Sequence, residues 1–263
     1  MTANKTNDVS ASSPVGVFDS GVGGLTVLRE LTRILPCEDF IYYGDVKNAP
    51  YGALSHDEIR RRSLEIAGEL IGMGAKAIVV ACNTATAAAV EAMRAAYPQI
   101  PIIGTEPAVK PAADAGHRHI LVLATPVTVA EERFSALIHS RCGTAEVIAV
   151  PCPGLATMIE EGHTSDELIC KYLDGIFAPL RGKFDAVVLG CTHYPLARVA
   201  ISRAAGGDIP VYDGAAGTAR QAARRISGSG LGAPGDKHGS VRFLSSGDAG
   251  KIGAFYEGIC HEA

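Results

Sequence analysis

Short, continuously apolar segments alternate with segments of helical periodicity along most of the chain. Because these apolar segments do not alternate with polar residues, they are typical of parallel strands that are buried on both faces. The repeated order of strand, helix and strand predicts an α/β fold with mainly parallel sheets. The predicted strands span residues 15–18, 40–43, 77–81, 102–103, 120–124, 147–150, 186–189, 210–212 and 242–245.

Start and stop signals mark the predicted helices between these strands. Leu25, Leu28 and Leu31 lie on one face of a helix that is expected to end before Pro36. A serine or threonine followed three residues later by glutamate has the spacing of a capping box, which marks the start of a helix. This spacing occurs at Ser55 with Glu58, at Thr128 with Glu131 and at Thr164 with Glu167.

The chain contains two similar segments, each a buried strand followed by a cysteine, polar residues and a helical pattern. Residues 77–84 contain Cys82 and residues 186–193 contain Cys191, and the two cysteines are 109 residues apart. We therefore predict two pseudo-symmetric, doubly wound lobes whose equivalent strand ends face each other across an active-site cleft. The first lobe is predicted to contain residues 15–105 and 213–263, the second lobe residues 106–212, and residues 1–14 a disordered tail.

Charge and cysteine content narrow the function classes. The net charge is −4, so the chain lacks the basic field that nucleic acid or an acidic membrane surface would require. The densest basic run, residues 60–62, is predicted to be a solvated helix face. No apolar run approaches the roughly 18 residues that span a bilayer, and no secretory signal is recognised. Seven cysteines in such a chain are expected to stay reduced in the cytoplasm.

The candidate chemistry lies where the predicted parallel strands end, because ligands of open α/β sheets bind beyond the carboxyl ends of the strands. Two of these strand ends carry the cysteines, Cys82 and Cys191. A helix N-terminus after a cysteine would lower the thiol pKa and bind an anion. A single free cysteine is commonly just a small buried residue, but two at matching positions of a repeat favour a function.

Three further residues have both a functional and a structural interpretation. Asp19 ends an apolar strand, where it either serves a thiol or a substrate ammonium or caps the following turn. His193 is suited to proton relay or is a structural histidine, and Glu160 on its own would be an exposed acid. The glycine-rich turn at residues 21–24 fails the dinucleotide fingerprint, because Thr26 stands at its third glycine position. Cysteine and histidine spacing indicates no metal site.

Several blocks of sequence carry a resemblance to a known family. They are Phe18-Asp-Ser-Gly-Val-Gly-Gly-Leu-Thr26, Tyr43-Gly-Asp45 with Pro50-Tyr-Gly52, Ala81-Cys-Asn-Thr-Ala85, Glu106-Pro107, Leu123-Ala-Thr-Pro126 and Gly190-Cys-Thr-His-Tyr-Pro-Leu196. In order and spacing they resemble the glutamate racemases of the aspartate/glutamate racemase superfamily. The resemblance covers nearly all of the chain after the tail.

The resemblance implies a role for each matching residue. Cys82 and Cys191 correspond to two catalytic cysteines that act on opposite faces of the α-carbon of glutamate. Asp19 would assist the first cysteine, His193 and Glu160 would assist the second, and Asp19 and His193 would tune the thiols towards neutral pH. The implied enzyme needs no cofactor or metal, supplies D-glutamate for peptidoglycan and is a homodimer. The implied substrate-binding residues are Asp19, Ser20, Tyr51, Gly52, Asn83, Thr84, Thr192 and His193.

Other functions remain open on the sequence. An aspartate or hydantoin racemase of the same superfamily would share the two cysteines, although the blocks around Asp19 and Tyr51 favour glutamate. A two-lobed amino-acid-binding protein would share the architecture without needing paired cysteines. A thiol hydrolase using Cys191 and His193 would leave Cys82 without a role.

Overall fold

The computed structural model describes residues 9–261, which form two α/β lobes, each built on one parallel sheet. The first sheet contains β1 (Val15–Asp19), β2 (Phe40–Gly44), β3 (Ala77–Val80), β4 (Ile102–Gly104) and β9 (Val241–Ser245). The second contains β5 (His119–Ala124), β6 (Glu146–Pro151), β7 (Ala186–Gly190) and β8 (Val211–Asp213). Every strand pairing is parallel. The predicted α/β fold is confirmed, and each predicted strand end lies within one residue of its observed position.

The two sheets share one strand order, which explains the repeat in the sequence. The first sheet has the order β4-β3-β1-β2-β9 and the second the order β6-β5-β7-β8. When β1 is matched with β5 and β3 with β7, β4 corresponds to β8 and β2 corresponds to β6. Strand β9 has no counterpart in the second sheet. The strands that precede Cys82 and Cys191 therefore occupy equivalent places beside the central strand of each sheet.

The helices cover both faces of each sheet, so the strands are buried on both sides. In β1, Val15 and Val17 pack into one hydrophobic cluster, whereas Phe18 packs into the cluster on the other face. This burial is the physical reason why the strands read as continuous apolar runs. The helices are α1 (Leu25–Ile34), α2 (His56–Gly72), α3 (Asn83–Ala96), α4 (Val109–Asp114), α5 (Pro126–Ala130), α6 (Glu132–Arg141), α7 (Leu155–Glu160), α8 (Glu167–Phe177), α9 (Arg198–Ala205), α10 (Ala215–Gly228) and α11 (Ala249–His261).

One of the three predicted capping boxes is present and two are wrong. Ser55 and Glu58 cap each other at the start of α2 as predicted. Thr125, rather than Thr128, caps α5, because Pro126 fixes the first helical position and the Thr125 hydroxyl accepts the Thr128 N–H at 3.2 Å. Asp166 caps α8 by accepting the Ile169 N–H at 3.2 Å, displacing Thr164 from that role.

The predicted disordered tail lies partly outside the described residues, which begin at residue 9. Within the described part, the Ser13 N–H donates to the Ser10 carbonyl at 3.0 Å. Lys76 Nζ donates to the Ala11 carbonyl at 2.6 Å, so this short segment is held against the first lobe. Among the helices of residues 9–261, none combines the length and the apolar composition needed to cross a bilayer.

Candidate active site

A narrow cavity lies between the two lobes at the carboxyl ends of their central strands. Its volume is about 250 Å³, which includes space open to solvent. The space fully inside it holds about one water molecule, so the two lobes must separate before a larger ligand can enter. The cavity is lined by nine of the predicted site residues, namely Ser20, Tyr51, Gly52, Cys82, Asn83, Thr84, Cys191, Thr192 and His193.

Cys82 is the buried N-cap residue of α3. Its Sγ accepts the Ala85 N–H at 3.4 Å and donates to the Ser20 hydroxyl at 3.8 Å. Burial and the negative charge of Asp19 raise the pKa of Cys82 to about 12, and the Ala85 N–H offsets this only in part. The expectation that the helix terminus and Asp19 bring this thiol towards neutral pH is therefore wrong for this arrangement, because a carboxylate disfavours a neighbouring thiolate.

Cys191 has different surroundings, although it occupies the equivalent strand end. The segment after it is a short 3₁₀ helix, Tyr194–Ala197, rather than an α-helix that starts at the cysteine. Its Sγ lies 3.8 Å from Nδ1 of His193. The sequence predicts a helix N-terminus as the positive neighbour of this thiol. In the structure the side chain of His193 takes that place.

His193 is buried and links Cys191 to Glu160. Its Nε2 is hydrogen-bonded to the Glu160 carboxylate. Burial on its own would lower the pKa of His193, but the hydrogen bonds with Cys191 and Glu160 outweigh it and raise the pKa well above the ordinary value. Both ring nitrogens therefore have a hydrogen-bond partner, an arrangement that favours the protonated ring.

Glu160 ends α7, with a side chain that is only 23% exposed, whereas the adjacent Glu161 is exposed. Reading Glu160 as an ordinary exposed acid is thus wrong. A β-carbon on Gly21 would lie 2.5 Å from the Glu160 carboxylate, and one on Gly23 would lie 2.7 Å from the backbone N of His193. The glycine-rich turn that fails the dinucleotide fingerprint lets the first lobe approach His193 and Glu160 of the second.

Asp19 joins the two lobes from the end of β1. It is fully buried, and its Oδ2 accepts the Gly21 N–H at 2.9 Å. Its Oδ1 accepts the hydroxyl of Thr192, from the second lobe, at 3.0 Å. Asp19 therefore caps its own turn, as one of the two interpretations of the sequence expected, and it lies behind the cavity wall rather than lining the cavity.

Hydroxyl and amide groups from both lobes meet beside Cys82. Thr84 Oγ1 lies 3.1 Å from Thr125 Oγ1 and 3.2 Å from Thr128 Oγ1, and the latter two are 2.8 Å apart. The side-chain oxygen of Asn83 is buried without a hydrogen-bond partner among the described atoms. The sequence predicts Thr128 only as a helix cap. Its contact with Thr84 depends on the fold and has no signal in the sequence.

Tyr51 lines the cavity, but its hydroxyl points elsewhere. The hydroxyl donates to Asp45 Oδ2 at 2.7 Å, so the ring and backbone are the parts of Tyr51 available to a ligand. Asp45 is also bound by Arg62. The predicted solvated face at residues 60–62 is therefore wrong for Arg62, whose side chain is 20% exposed. Asp45 stands in a block that carried the resemblance, yet no sequence signal paired it with Arg62.

Two buried thiols thus lie at equivalent strand ends of a two-lobed α/β protein, Cys82 near the carboxylate of Asp19 and Cys191 beside the imidazole of His193. Within residues 9–261, no three His, Cys, Asp or Glu side chains gather as a metal site would require.

Comparison with known proteins identifies the family of the chain. A family model described as Asp/Glu/Hydantoin racemase matches residues 16–222. The glutamate racemase of Clostridium novyi (strain NT) is 44% identical over 236 residues, which are 89% of this chain and 91% of that protein. The chain belongs to the Asp/Glu/hydantoin racemase family, which confirms the resemblance found in the sequence.

Solved structures agree with this family. The glutamate racemase from Thermus thermophilus in complex with β-chloro-D-alanine has a TM-score of 0.80 and 36% identity, covering 95% of this chain and 94% of that chain. The glutamate racemase from Francisella tularensis in complex with D-glutamate has a TM-score of 0.82 and 30% identity, covering 94% of each chain. The chain is thus an amino-acid racemase, and the binding-protein and thiol-hydrolase alternatives are set aside.

Proposed function

We propose that this chain interconverts L-glutamate and D-glutamate, with Cys82 and Cys191 as the acid–base pair. The observation that carries the proposal is the placement of the two buried thiols, one from each lobe, on the walls of a single narrow cavity. Removing a proton from one face of a carbon and returning one to the other requires two such groups. The glutamate in the proposal comes from the names of the relatives and from the sequence blocks around Asp19 and Tyr51.

The different surroundings of the two thiols suggest which cysteine acts as the base in each direction. The sulfur of Cys191 lies 3.8 Å from the His193 ring, whereas Cys82, with a pKa of about 12, holds its proton at neutral pH. In the proposed L-to-D direction, Cys191 takes the α-proton and the electron pair of the C–H bond stays on carbon. Cys82 then gives its proton to the opposite face. In the other direction the two cysteines exchange roles.

Substrate charge completes the electrostatics of this site. We place the α-ammonium beside Asp19, where it would offset the negative charge that raises the pKa of Cys82. The substrate itself would then make the Cys82 thiolate accessible when the roles exchange. The amide of Asn83 and the hydroxyls of Thr84 and Thr192 can bind the α-carboxylate. In a cavity that excludes water, these dipoles stabilise the developing carbanion more strongly than they would in solution.

The wider role follows from the resemblance of the sequence blocks. We propose that the chain works in the cytoplasm as a homodimer, without a cofactor or metal, and supplies D-glutamate for peptidoglycan. The cysteine content and the family support this part of the proposal.

The decisive experiment incubates pure protein with L-glutamate in D₂O, without added cofactor, and follows optical rotation and α-deuterium together. We expect racemisation with deuterium incorporated at the α-carbon, because the thiol protons exchange with solvent. Incorporation with aspartate but not with glutamate would keep the two-thiol mechanism and overturn the proposed substrate. Absence of incorporation with both amino acids would contradict the proposed function.

Gly52 sets how closely the lobes can approach. A β-carbon at this position would lie 3.2 Å from the Thr125 β-carbon across the cleft, so Gly52→Ala should hold the lobes apart by a few tenths of an ångström. Since a misplacement of about 1 Å can cost about 100-fold in rate, we expect roughly a five- to tenfold lower kcat/KM. Gly175→Ala, where a β-carbon meets nothing within 4 Å, is the matched control. Equal activities of the two variants would contradict this role of Gly52.

A further inference from the structure

A buried ion pair lies directly behind the cavity wall formed by Tyr51. Arg62 approaches Asp45 with two nitrogens, Nε at 2.6 Å from Oδ2 and Nη2 at 2.8 Å from Oδ1. The Tyr51 hydroxyl donates to Oδ2 at 2.7 Å, and Asn48 Nδ2 donates to Oδ1 at 2.9 Å. Asp45 is completely buried. Its carboxylate is thus held in one orientation by donors from three side chains, a bidentate arginine among them.

The ion pair also compensates the charge of a fully buried carboxylate. Burial would raise the pKa of Asp45, but hydrogen bonds from Arg62, Tyr51 and Asn48 lower it, so the group is ionised. The Asp45 N–H donates to the Asp19 carbonyl at 3.0 Å, which makes the two aspartates neighbours at adjacent strand ends. Without Arg62, the buried Asp45 carboxylate would lose its charge partner while it still holds the Tyr51 hydroxyl.

The same contacts fix the position of the cavity wall. Tyr51 begins the short 3₁₀ helix Tyr51–Ala53, which carries Gly52 to its close approach to Thr125 of the second lobe. Because the Tyr51 hydroxyl is bound to Asp45, this helix is tied to α2 through Arg62. A buried ion pair contributes little net stability in general, so its place behind the wall points to a role in the site.

We propose that Arg62 and Asp45 are positioning residues for the proposed racemisation. They hold the ring of Tyr51 and the backbone of Gly52 in the geometry of the closed cleft. Neither residue lines the cavity, and the hydrogen bond from the Tyr51 hydroxyl connects them to its wall. This inference rests on the proposed function, because the site that they position is the site of that reaction.

The test compares Arg62→Met with Arg61→Met. Arg61 is adjacent on α2, but it is 59% exposed and pairs with Glu65 on the surface, so its loss should change nothing. For Arg62→Met we expect KM for glutamate to rise at least fivefold and kcat/KM to fall by about ten- to 100-fold, because the wall is displaced. Arg62→Lys should restore part of this loss, since it returns the charge without the second hydrogen bond.

The rise in KM separates positioning from a merely structural role. A variant that only loses folded protein loses apparent kcat at unchanged KM, so unchanged KM in Arg62→Met would overturn the inference, as would equal effects of Arg61→Met. Tyr51→Phe removes one hydroxyl and keeps the ring, so it tests the same network if Arg62→Met does not fold, and we expect a higher KM there too. The double variant Tyr51→Phe with Arg62→Met should lower kcat/KM little more than the more damaging single substitution does. Fully additive effects on kcat/KM would contradict the proposal that Arg62 acts through Tyr51.

Turnover by the unchanged protein is measured first in this series. Its absence would contradict the proposed function. Normal turnover together with an unaltered KM in both Arg62→Met and Tyr51→Phe would contradict the positioning role alone.

Discussion

Replacing either Cys82 or Cys191 by alanine should lower the racemisation of glutamate by at least about 1,000-fold, because general acid–base groups contribute about 10²–10⁴-fold each. Both thiols are needed in each direction, one to remove the α-proton and one to return a proton to the opposite face. The two losses should therefore be of similar size. Optical rotation measured from each enantiomer in turn checks this result.

A reaction that needs only one base distinguishes the two thiols from general damage to the site. With a β-hydroxy analogue of glutamate, loss of the α-proton and departure of water complete an elimination without reprotonation of the other face. With the enantiomer whose α-hydrogen faces the remaining thiol, we expect Cys82→Ser and Cys191→Ser each to retain far more elimination than racemisation. Cys170→Ala, a thiol outside the cavity on α8, should retain both activities. Equal impairment of elimination and racemisation in both serine variants would contradict the two-thiol mechanism.

Replacing Glu160 by glutamine should move the loss of activity at high pH towards lower pH. The pKa of His193 is pulled down by its burial and raised above the ordinary value by its hydrogen bonds with Cys191 and Glu160. Without the Glu160 carboxylate, burial lowers the pKa of His193. The ring beside Cys191 then loses its proton at a lower pH. At neutral pH we expect kcat/KM to fall by roughly ten- to 100-fold. Profiles of kcat/KM against pH for both proteins measure the displacement.

The raised pKa of His193 also fixes the direction in which the stability of the folded protein changes with pH. Because the pKa of His193 is raised on folding, the charged ring contributes stability below the ordinary value of 6.5, and this contribution disappears as the pH rises through the raised value. Urea unfolding should therefore show a stability deficit of Glu160→Gln at low pH that narrows as the pH increases. Glu161→Gln, the exposed neighbour, should match the unchanged protein in both measurements. A Glu160→Gln profile identical to that control would contradict the charge-pair role.

The fold could be predicted from the sequence because its signals are local. Parallel strands buried on both faces leave continuous apolar runs, and the cysteines mark equivalent ends of the repeat. Helix starts were less reliable, because a capping box requires only two residues and a neighbouring residue can compete for the cap. Asp166 displaced Thr164 in this way, and Pro126 moved the start of α5 to Thr125.

The electrostatics of the site could not be predicted, because its partners are distant in sequence. Thr192 and Asp19 are 173 residues apart, and His193 and Glu160 are 33 residues apart. The effect of Asp19 on Cys82 also has the opposite sign to the one expected, because a carboxylate raises the pKa of a neighbouring thiol. For Glu160, the resemblance pointed to a residue that composition and pattern would have left on the surface.

The unequal surroundings of Cys82 and Cys191 have a thermodynamic consequence for a racemase. Enantiomers have equal free energies in solution, so the overall equilibrium constant is one whatever the protein does. The values of kcat/KM for the two directions must then be equal at every pH, even though one sulfur faces an imidazolium and the other a carboxylate. The asymmetry can only divide this common value differently between kcat and KM for the two enantiomers. No substitution in either lobe can therefore convert the chain into a one-way catalyst.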